Sequence, residues 1–365
     1  MKKGKKAITK IGAALLLVAM LALTLAFGAC GDTDSGGDAG GASAGSSAGA
    51  SAGGSSAGAT AELTTIKLPC IAAFPNNTES ATIGIEKGFF AEEGLEVEDV
   101  GLVAVPQYVS TLVSGTVDFI LIMTSEGIAA IDNGAEIIAV AGGSDTPDNV
   151  NTHMTFLVPK GSPIKTAEDF VGKSIATPAA NGGCTGGFPL EFMKQAGIED
   201  PISKVEMITV PEESLVDTLL QGGADIVGTH LVPRVVEELY GDQVEIVFTD
   251  WDILEDRGGD MDWYATKKFV EENPETVKKF VAAIAKTNNF IDENPEEAGE
   301  IYKAAAGDII NEKLFNVRHY APDGLIREDH TMLWVELFSE PGQVQQFKNQ
   351  LTFDQLATNE FNPNA

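Results

Sequence analysis

Short apolar runs alternate with amphipathic stretches along most of this chain. Strand-length runs lie at residues 65–72, 95–105, 116–123, 136–141 and 154–159, and again at 173–177, 205–210, 224–228 and 245–249. Several are apolar at consecutive positions, which suits strands covered on both faces. Between them, residues 80–92, 107–114, 190–196 and 212–220 carry helical spacing. Strands alternating with helices predict parallel sheets flanked by helices, an α/β fold.

One unit occurs twice. Leu112-Val113-Ser114-Gly115-Thr116-Val117-Asp118 is echoed by Leu219-Leu220-Gln221-Gly222-Gly223-Ala224-Asp225. Each reads as a helix end, a glycine able to take positive φ, and a strand entered through an aspartate. The repeat predicts two lobes of similar construction. Farther on, Glu272-Asn273-Pro274-Glu275 recurs as Glu293-Asn294-Pro295-Glu296. An Asn cap, Pro at the first helical position and an acid in the first turn predict helices over 275–292 and 296–306. Val277, Phe280, Val281 and Ile284 form an apolar stripe on the first of these, and a third helical stretch is expected near 330–338.

The front of the chain differs. Five lysines (Lys2, Lys3, Lys5, Lys6, Lys10) precede an apolar run from Ile11 to Phe27, followed by Gly28-Ala29-Cys30. A basic start, a short apolar core and small residues before a break predict a secretory signal over 1–29. The Gly-Ala-Cys ending resembles the bacterial lipobox, in which the cysteine is lipidated and becomes the first mature residue; Phe27 stands where that motif usually has leucine. Residues 31–62 are almost entirely Gly, Ala and Ser. Such a stretch cannot bury enough apolar surface to order itself, so 30–62 is expected to be a flexible leash reaching about 30 Å.

Charge and cysteine content remove several function classes. The chain has 24 basic against 54 acidic residues, and without the five leader lysines its formal charge falls to −35. Nucleic acid is excluded as a partner, since phosphate binding needs clustered Lys and Arg. Besides Cys30 only Cys70 and Cys184 occur, with no CxxC and no metal-ligand spacing, so neither a metal site nor a cofactor is expected. Nucleophile elbows and HExxH motifs are absent, which argues against an enzyme. About 300 residues follow the leash, too many for one simple core and suited to two lobes.

The run Ile83-Gly84-Ile85-Glu86-Lys87-Gly88-Phe89-Phe90-Ala91-Glu92-Glu93-Gly94-Leu95 resembles a signature of the nitrate, sulfonate, taurine and thiamine-precursor binding family, the substrate-binding components of ABC importers. Ser114 to Asp118, Ile164-Lys165-Thr166-Ala167-Glu168-Asp169-Phe170-Val171-Gly172-Lys173, Gly222 to Asp225 and the Asn-Pro helices follow in the same order. The resemblance implies a two-lobed, periplasmic-binding-protein-like (type II) fold, each lobe a mostly parallel sheet flanked by helices. It divides the chain into lobe one at 63–158, lobe two at 159–256 and a return to lobe one at 257–365. It further implies a monomer that delivers a small-molecule ligand to an ABC permease and ATPase, held by lipid on the outer face of the cell membrane. The expected ligand is a small organic anion of the sulfonate type. A planar heterocycle such as a thiamine or flavin precursor is the alternative, and a sensor or adhesion lipoprotein is the reading from another class.

In open α/β sheets, ligands bind beyond the carboxyl ends of strands, at helix N-termini. Four loops qualify, containing Phe74, Asn76, Asn77 and Thr78; Thr124, Ser125 and Glu126; Asn181, Gly183 and Thr185; and His230. The glycine-rich segment 181–187 can converge backbone N–H groups on an oxygen-rich ligand, and its counterpart contacts ligand in many relatives of the family. Trp251, at the second crossing between lobes, is a candidate pocket wall, with Trp263 either a wall or a packing residue. His153, at the first crossing, is a weaker candidate. Glu126 is out of keeping with an anion site, and either faces solvent or points to a ligand with a cationic or donor-rich group.

Overall fold

The computed structural model describes residues 63–69, 79–146, 148–180, 182–307, 319–343 and 347–365. The predicted leader, Cys30, the leash, Cys70 and the first ligand loop with Phe74, Asn76, Asn77 and Thr78 lie outside these, as does Asn181. In chain order the strands are β1 (Thr64–Leu68), β2 (Leu95–Asp99), β3 (Ile120–Met123), β4 (Ile137–Gly142), β5 (Ser144–Asp145) and β6 (Thr155–Pro159). Then come β7 (Ser174–Thr177), β8 (Glu206–Thr209), β9 (Ile226–Thr229), β10 (Val244–Thr249), β11 (Met261–Thr266) and β12 (His319–Tyr320).

Two sheets dominate. One has the order β3-β11-β4, and the other β10-β6-β9-β7-β8; β1–β2 and β5–β12 form pairs. The ladders β1–β2, β7–β8 and β7–β9 are parallel, as the alternating pattern predicts. The strands on either side of the two crossings, β6, β10 and β11, pair antiparallel. Within the five-stranded sheet β6 alone runs against the others, and in the three-stranded sheet β11 runs against β3 and β4. All four residues of β3 (Ile-Leu-Ile-Met) are buried, and four of the five in β6 are. Their continuous apolar runs are the signature of strands covered on both faces.

The repeated aspartates perform one task in two places. The Asp118 carboxylate accepts the Lys67 N–H at 2.8 Å, and Asp118 N–H donates to the Lys67 carbonyl at 2.9 Å. Asp225 does the same with Ser174, accepting its N–H at 3.0 Å and its hydroxyl at 3.1 Å. Each ties the entry of one strand to a neighbouring strand where backbone donors would otherwise go unpaired. Gly115 and Gly222, just upstream, both have φ of 74°.

The Asn-Pro pairs start helices at Pro274–Glu293 and Pro295–Ala306, but their asparagines act differently from the expectation. Neither side chain caps the helix that follows. The Asn273 and Asn294 amides donate to the carbonyls of Phe269 and Phe290, at 3.2 and 3.1 Å, and close the helix that precedes. Two helices meet end to end there, and the carbonyls left open by the first are satisfied by the residue that opens the second. The helix expected over 80–92 divides into Glu79–Glu86 and Phe89–Glu92, because Gly88 lies between them at φ 79°.

Aromatic rings knit the core. Phe280 stacks on Phe119 with centroids 3.7 Å apart, and Phe248 is sandwiched between Phe156 and Phe192 at 4.2 and 4.0 Å. Trp263 is buried edge-on against Phe280 at 5.3 Å, so it is a packing residue. Phe188, on the helix Gly183–Gln195, stacks on Trp334 of the helix Glu328–Ser339 at 5.5 Å. Among the described residues no helix is long and apolar enough to cross a membrane.

Candidate functional site

The site forms where the two dominant sheets meet. The chain leaves the first sheet after β4 and returns to it at β11, following β10, and Asp250 binds the two crossings together. Its carboxylate accepts the N–H of Met154 at 2.8 Å and of His153 at 3.2 Å, and its own N–H donates to the Met154 carbonyl. Asp250 is fully buried, and that burial pushes its pKa up to about 7 against those backbone hydrogen bonds. The crossings also approach closely at Gly259, where a Cβ would fall 1.8 Å from Thr146 Oγ1.

From the first sheet comes the helix Thr124–Asp132, directly after β3. Thr124 is buried, and its hydroxyl lies 2.7 Å from Asp262 Oδ2 and 3.1 Å from the Asp260 carbonyl. Those contacts hold the helix start in place. Ser125 is buried with a hydroxyl that has no hydrogen-bond partner among the described residues. Glu126 is an exposed residue, and the protein around it partly desolvates its carboxyl group. That desolvation pushes its pKa above the usual carboxylate range, with the nearby His230 pulling the other way.

The second sheet contributes the helix Gly183–Gln195 and the end of β9. The glycine-rich segment read as a loop is the opening of this helix. Periodicity marks only the apolar stretch from Leu190, because glycines carry no side chain to show a helical stripe. Thr185 is buried and turned back, its hydroxyl donating to the Ala179 carbonyl at 2.6 Å. Gly183 has φ 61°. Trp251 is half-buried at the start of a short helix after β10.

One gathering at the junction involves residues that sequence spacing does not join. Cys184 carries a free, buried thiol. His153 Nε2 lies 3.4 Å from its Sγ, and His230 Nε2 lies 3.9 Å away on another side. The two imidazole rings meet edge to face at 4.9 Å. His230 is in turn held by Glu212, whose Oε2 lies 2.9 Å from Nδ1 and whose Oε1 accepts the His230 N–H at 2.9 Å. Burial pushes the Cys184 thiol up strongly, and the Glu126 and Asp250 carboxylates add to the rise. A thiol so held is a poor nucleophile, since the thiolate is the reactive form.

A second cluster joins Asp145, Asp260 and His330, with His330 Nδ1 2.6 Å from Asp260 Oδ2. Arg327 already serves it, with Nη2 2.7 Å from Asp145 Oδ1 and 3.9 Å from Asp260 Oδ1. A guanidinium among carboxylates is a structural ion-pair network.

The NMT1/THI5 like family profile matches residues 77–298. The chain belongs to that family. No curated protein matches it in sequence. Among solved structures it is similar to the alkanesulfonate-binding protein SsuA from Xanthomonas axonopodis pv. citri bound to MOPS, with TM-score 0.61 and 14% identity over 81% of this chain and 99% of that one. The periplasmic aliphatic sulphonate binding protein SsuA from Escherichia coli gives 0.56 and 18%, over 76% and 85%. The periplasmic nitrate-binding protein NrtA from Synechocystis PCC 6803 gives 0.60 and 16%, over 82% and 87%. The shared feature is the periplasmic-binding-protein fold, and all three named proteins are binding proteins.

Proposed function

We propose that this family member is an extracytoplasmic solute-binding protein that hands a small organic anion of the sulfonate type to an ABC importer. The observation that carries the reading is the convergence of two helix starts, at Thr124 and Gly183, with the end of β9 at His230. Backbone N–H groups at helix starts hold oxyanions without a buried cation. The five-stranded sheet lies wholly between Thr155 and Thr249, which supports an inserted second lobe, with its start moved from 159 to the first residue of β6. Ser125, Gly183, His230 and Trp251 are the described ligand candidates, with Thr185 able to contribute only its backbone N–H because its hydroxyl donates to the Ala179 carbonyl; Phe74, Asn76, Asn77, Thr78 and Asn181 join them from the sequence. Thr124 is more a support than a contact, its hydroxyl being engaged by Asp262.

Glu126 favours a second reading. A carboxylate beside His230 repels a plain anion but suits a ligand with N–H donors, either an amino-substituted sulfonate or a planar heterocycle such as a thiamine precursor. Glu126→Gln separates these by sign. With chelator present, calorimetric affinity for a plain alkanesulfonate is expected to rise about tenfold as the repulsion goes. Affinity for an aminopyrimidine or aminosulfonate is expected to fall by about 10- to 150-fold, through the loss of a charge-assisted hydrogen bond of about 1.5–3 kcal/mol. Protein that binds none of these ligands in either form would count against the whole reading.

Anchoring belongs to the same proposal. Cys30→Ser is expected to release the mature protein from the membrane fraction into the medium. If the variant stays membrane-bound in the wild-type proportion, the lipid anchor is wrong.

A further inference from the structure

The solute reading uses His230 but neither His153 nor the Cys184 thiol, which gather with it. We propose that these three side chains form a binding site for a single zinc-like divalent metal ion, reached from the junction of the two sheets.

The two nitrogen–sulfur separations suit two edges of a tetrahedral site. With Zn–S near 2.3 Å and Zn–N near 2.0–2.1 Å, a tetrahedral site has N···S separations of about 3.6 Å. The separations here are 3.4 Å from His153 Nε2 and 3.9 Å from His230 Nε2 to Cys184 Sγ. All three ligand atoms lie within 4.8 Å of one another. Two imidazoles and a thiolate are a donor set of intermediate softness, which selects zinc or cobalt over magnesium or calcium.

An independent observation concerns the surroundings. Glu212 Oε2 at 2.9 Å from His230 Nδ1 keeps the proton on that nitrogen and turns the Nε2 lone pair toward Cys184. Histidines that ligate metals are oriented in this way by a carboxylate on their other nitrogen. Glu212 is fixed in turn by the His230 N–H and the Thr229 hydroxyl, so the imidazole is set before any ion arrives. Glu126 and Asp250 add negative charge around the thiol. That field opposes a bare thiolate and favours a dication. On binding, the Cys184 S–H bond breaks, a metal–sulfur bond forms and one proton leaves to solvent.

The test is titration of the metal-free mature protein with Co²⁺. One equivalent is expected to produce tetrahedral visible bands and a thiolate-to-cobalt charge-transfer band, and excess Zn²⁺ is expected to bleach both. The charge-transfer band should vanish in Cys184→Ser and persist when Cys70 is changed to Ser. Glu212→Gln should weaken affinity 10–100-fold while keeping the spectrum, as a positioning residue would. Because Cys184→Ser can disturb the core, alkylation of Cys184 in the wild-type protein gives a second measure. Zn²⁺ is expected to slow it at least tenfold, and His230→Ala to abolish that protection. Absence of a charge-transfer band, its survival in Cys184→Ser, or alkylation indifferent to Zn²⁺ would each overturn the site. None of these readouts depends on an organic ligand, so they fail or succeed apart from the solute reading.

Discussion

Phe280→Ala is expected to cost about 3–5 kcal/mol of folding stability, the range for removing a large aromatic from a packed core. The ring is wholly buried on the long helix Pro274–Glu293. It stacks on Phe119 at 3.7 Å with an interplanar angle of 3°, takes the edge of Trp263 at 5.3 Å, and meets Phe90 at 6.0 Å. Phe119 leads into β3 and Trp263 lies in β11, the middle strand of its sheet. One side chain therefore joins the C-terminal helices to the sheet from which the candidate helix Thr124–Asp132 emerges. Alanine would leave a cavity that three aromatic neighbours cannot fill without leaving their own contacts. Guanidinium unfolding should report the loss as a lower midpoint at unchanged slope. Val113→Ala, at a position 55% exposed, should move it by no more than about 0.5 kcal/mol. A loss below about 1 kcal/mol for Phe280→Ala would mean that the aromatic cluster does not hold the helix to the sheet.

Asp262→Asn is expected to stabilise the protein at pH 8, on the order of 2–4 kcal/mol, and to make no difference near pH 4. Asp262 is buried in β11, and burial pushes its pKa up to about 7. The hydrogen bond from Thr124 and the His330 charge oppose that rise, while Asp260 and Asp145 add to it. An ordinary aspartate in the unfolded chain titrates near 3.9. Between the two values the folded form holds a proton that the unfolded form has lost. Stability contributed by this group therefore falls as pH rises from about 4 to about 7, and the full penalty of burying the charge is present above that. Asparagine keeps an oxygen for the Thr124 hydroxyl and removes the charge, so its advantage should grow across that window and then level off. Asp145, pushed up to about 6 chiefly by burial and the Asp260 charge, should give wild-type stability part of the same slope. Denaturant melts at pH 4.5, 6 and 8 measure the difference directly. An asparagine variant less stable than wild type at pH 8 would contradict the account.

Much of the architecture was legible because it is local. Apolar runs such as Ile-Leu-Ile-Met at β3 and Thr-Phe-Leu-Val-Pro at β6 specify buried strands through their own composition. The two Gly-to-Asp units specify the same strand entry twice, since the glycine and the aspartate act on backbone within reach of their own turn. Where local signals misled, a neighbour in sequence had been given the wrong task. The Asn-Pro asparagines look forward by propensity and bond backward in fact, because the preceding helix ends at that very residue. The segment 181–187 read as a loop because glycines hide helical periodicity.

Of the candidate site, the sequence by itself determined the strand ends, and so that Thr124 and His230 each follow a strand; the helix starts at Thr124 and Gly183 read as loops. The tertiary structure alone decided which side chains meet there. His153 and Cys184 are 31 residues apart, and Cys184 and His230 are 46 apart, separations that no ligand-spacing motif contains. They converge because β6 pairs with β9, β9 with β7, and the helix bearing Cys184 follows β7. Periodicity records which face of an element is buried, whereas strand order is set by the packing of the whole chain. That order brings a thiol, two imidazoles and the carboxylate of Glu212 to one point.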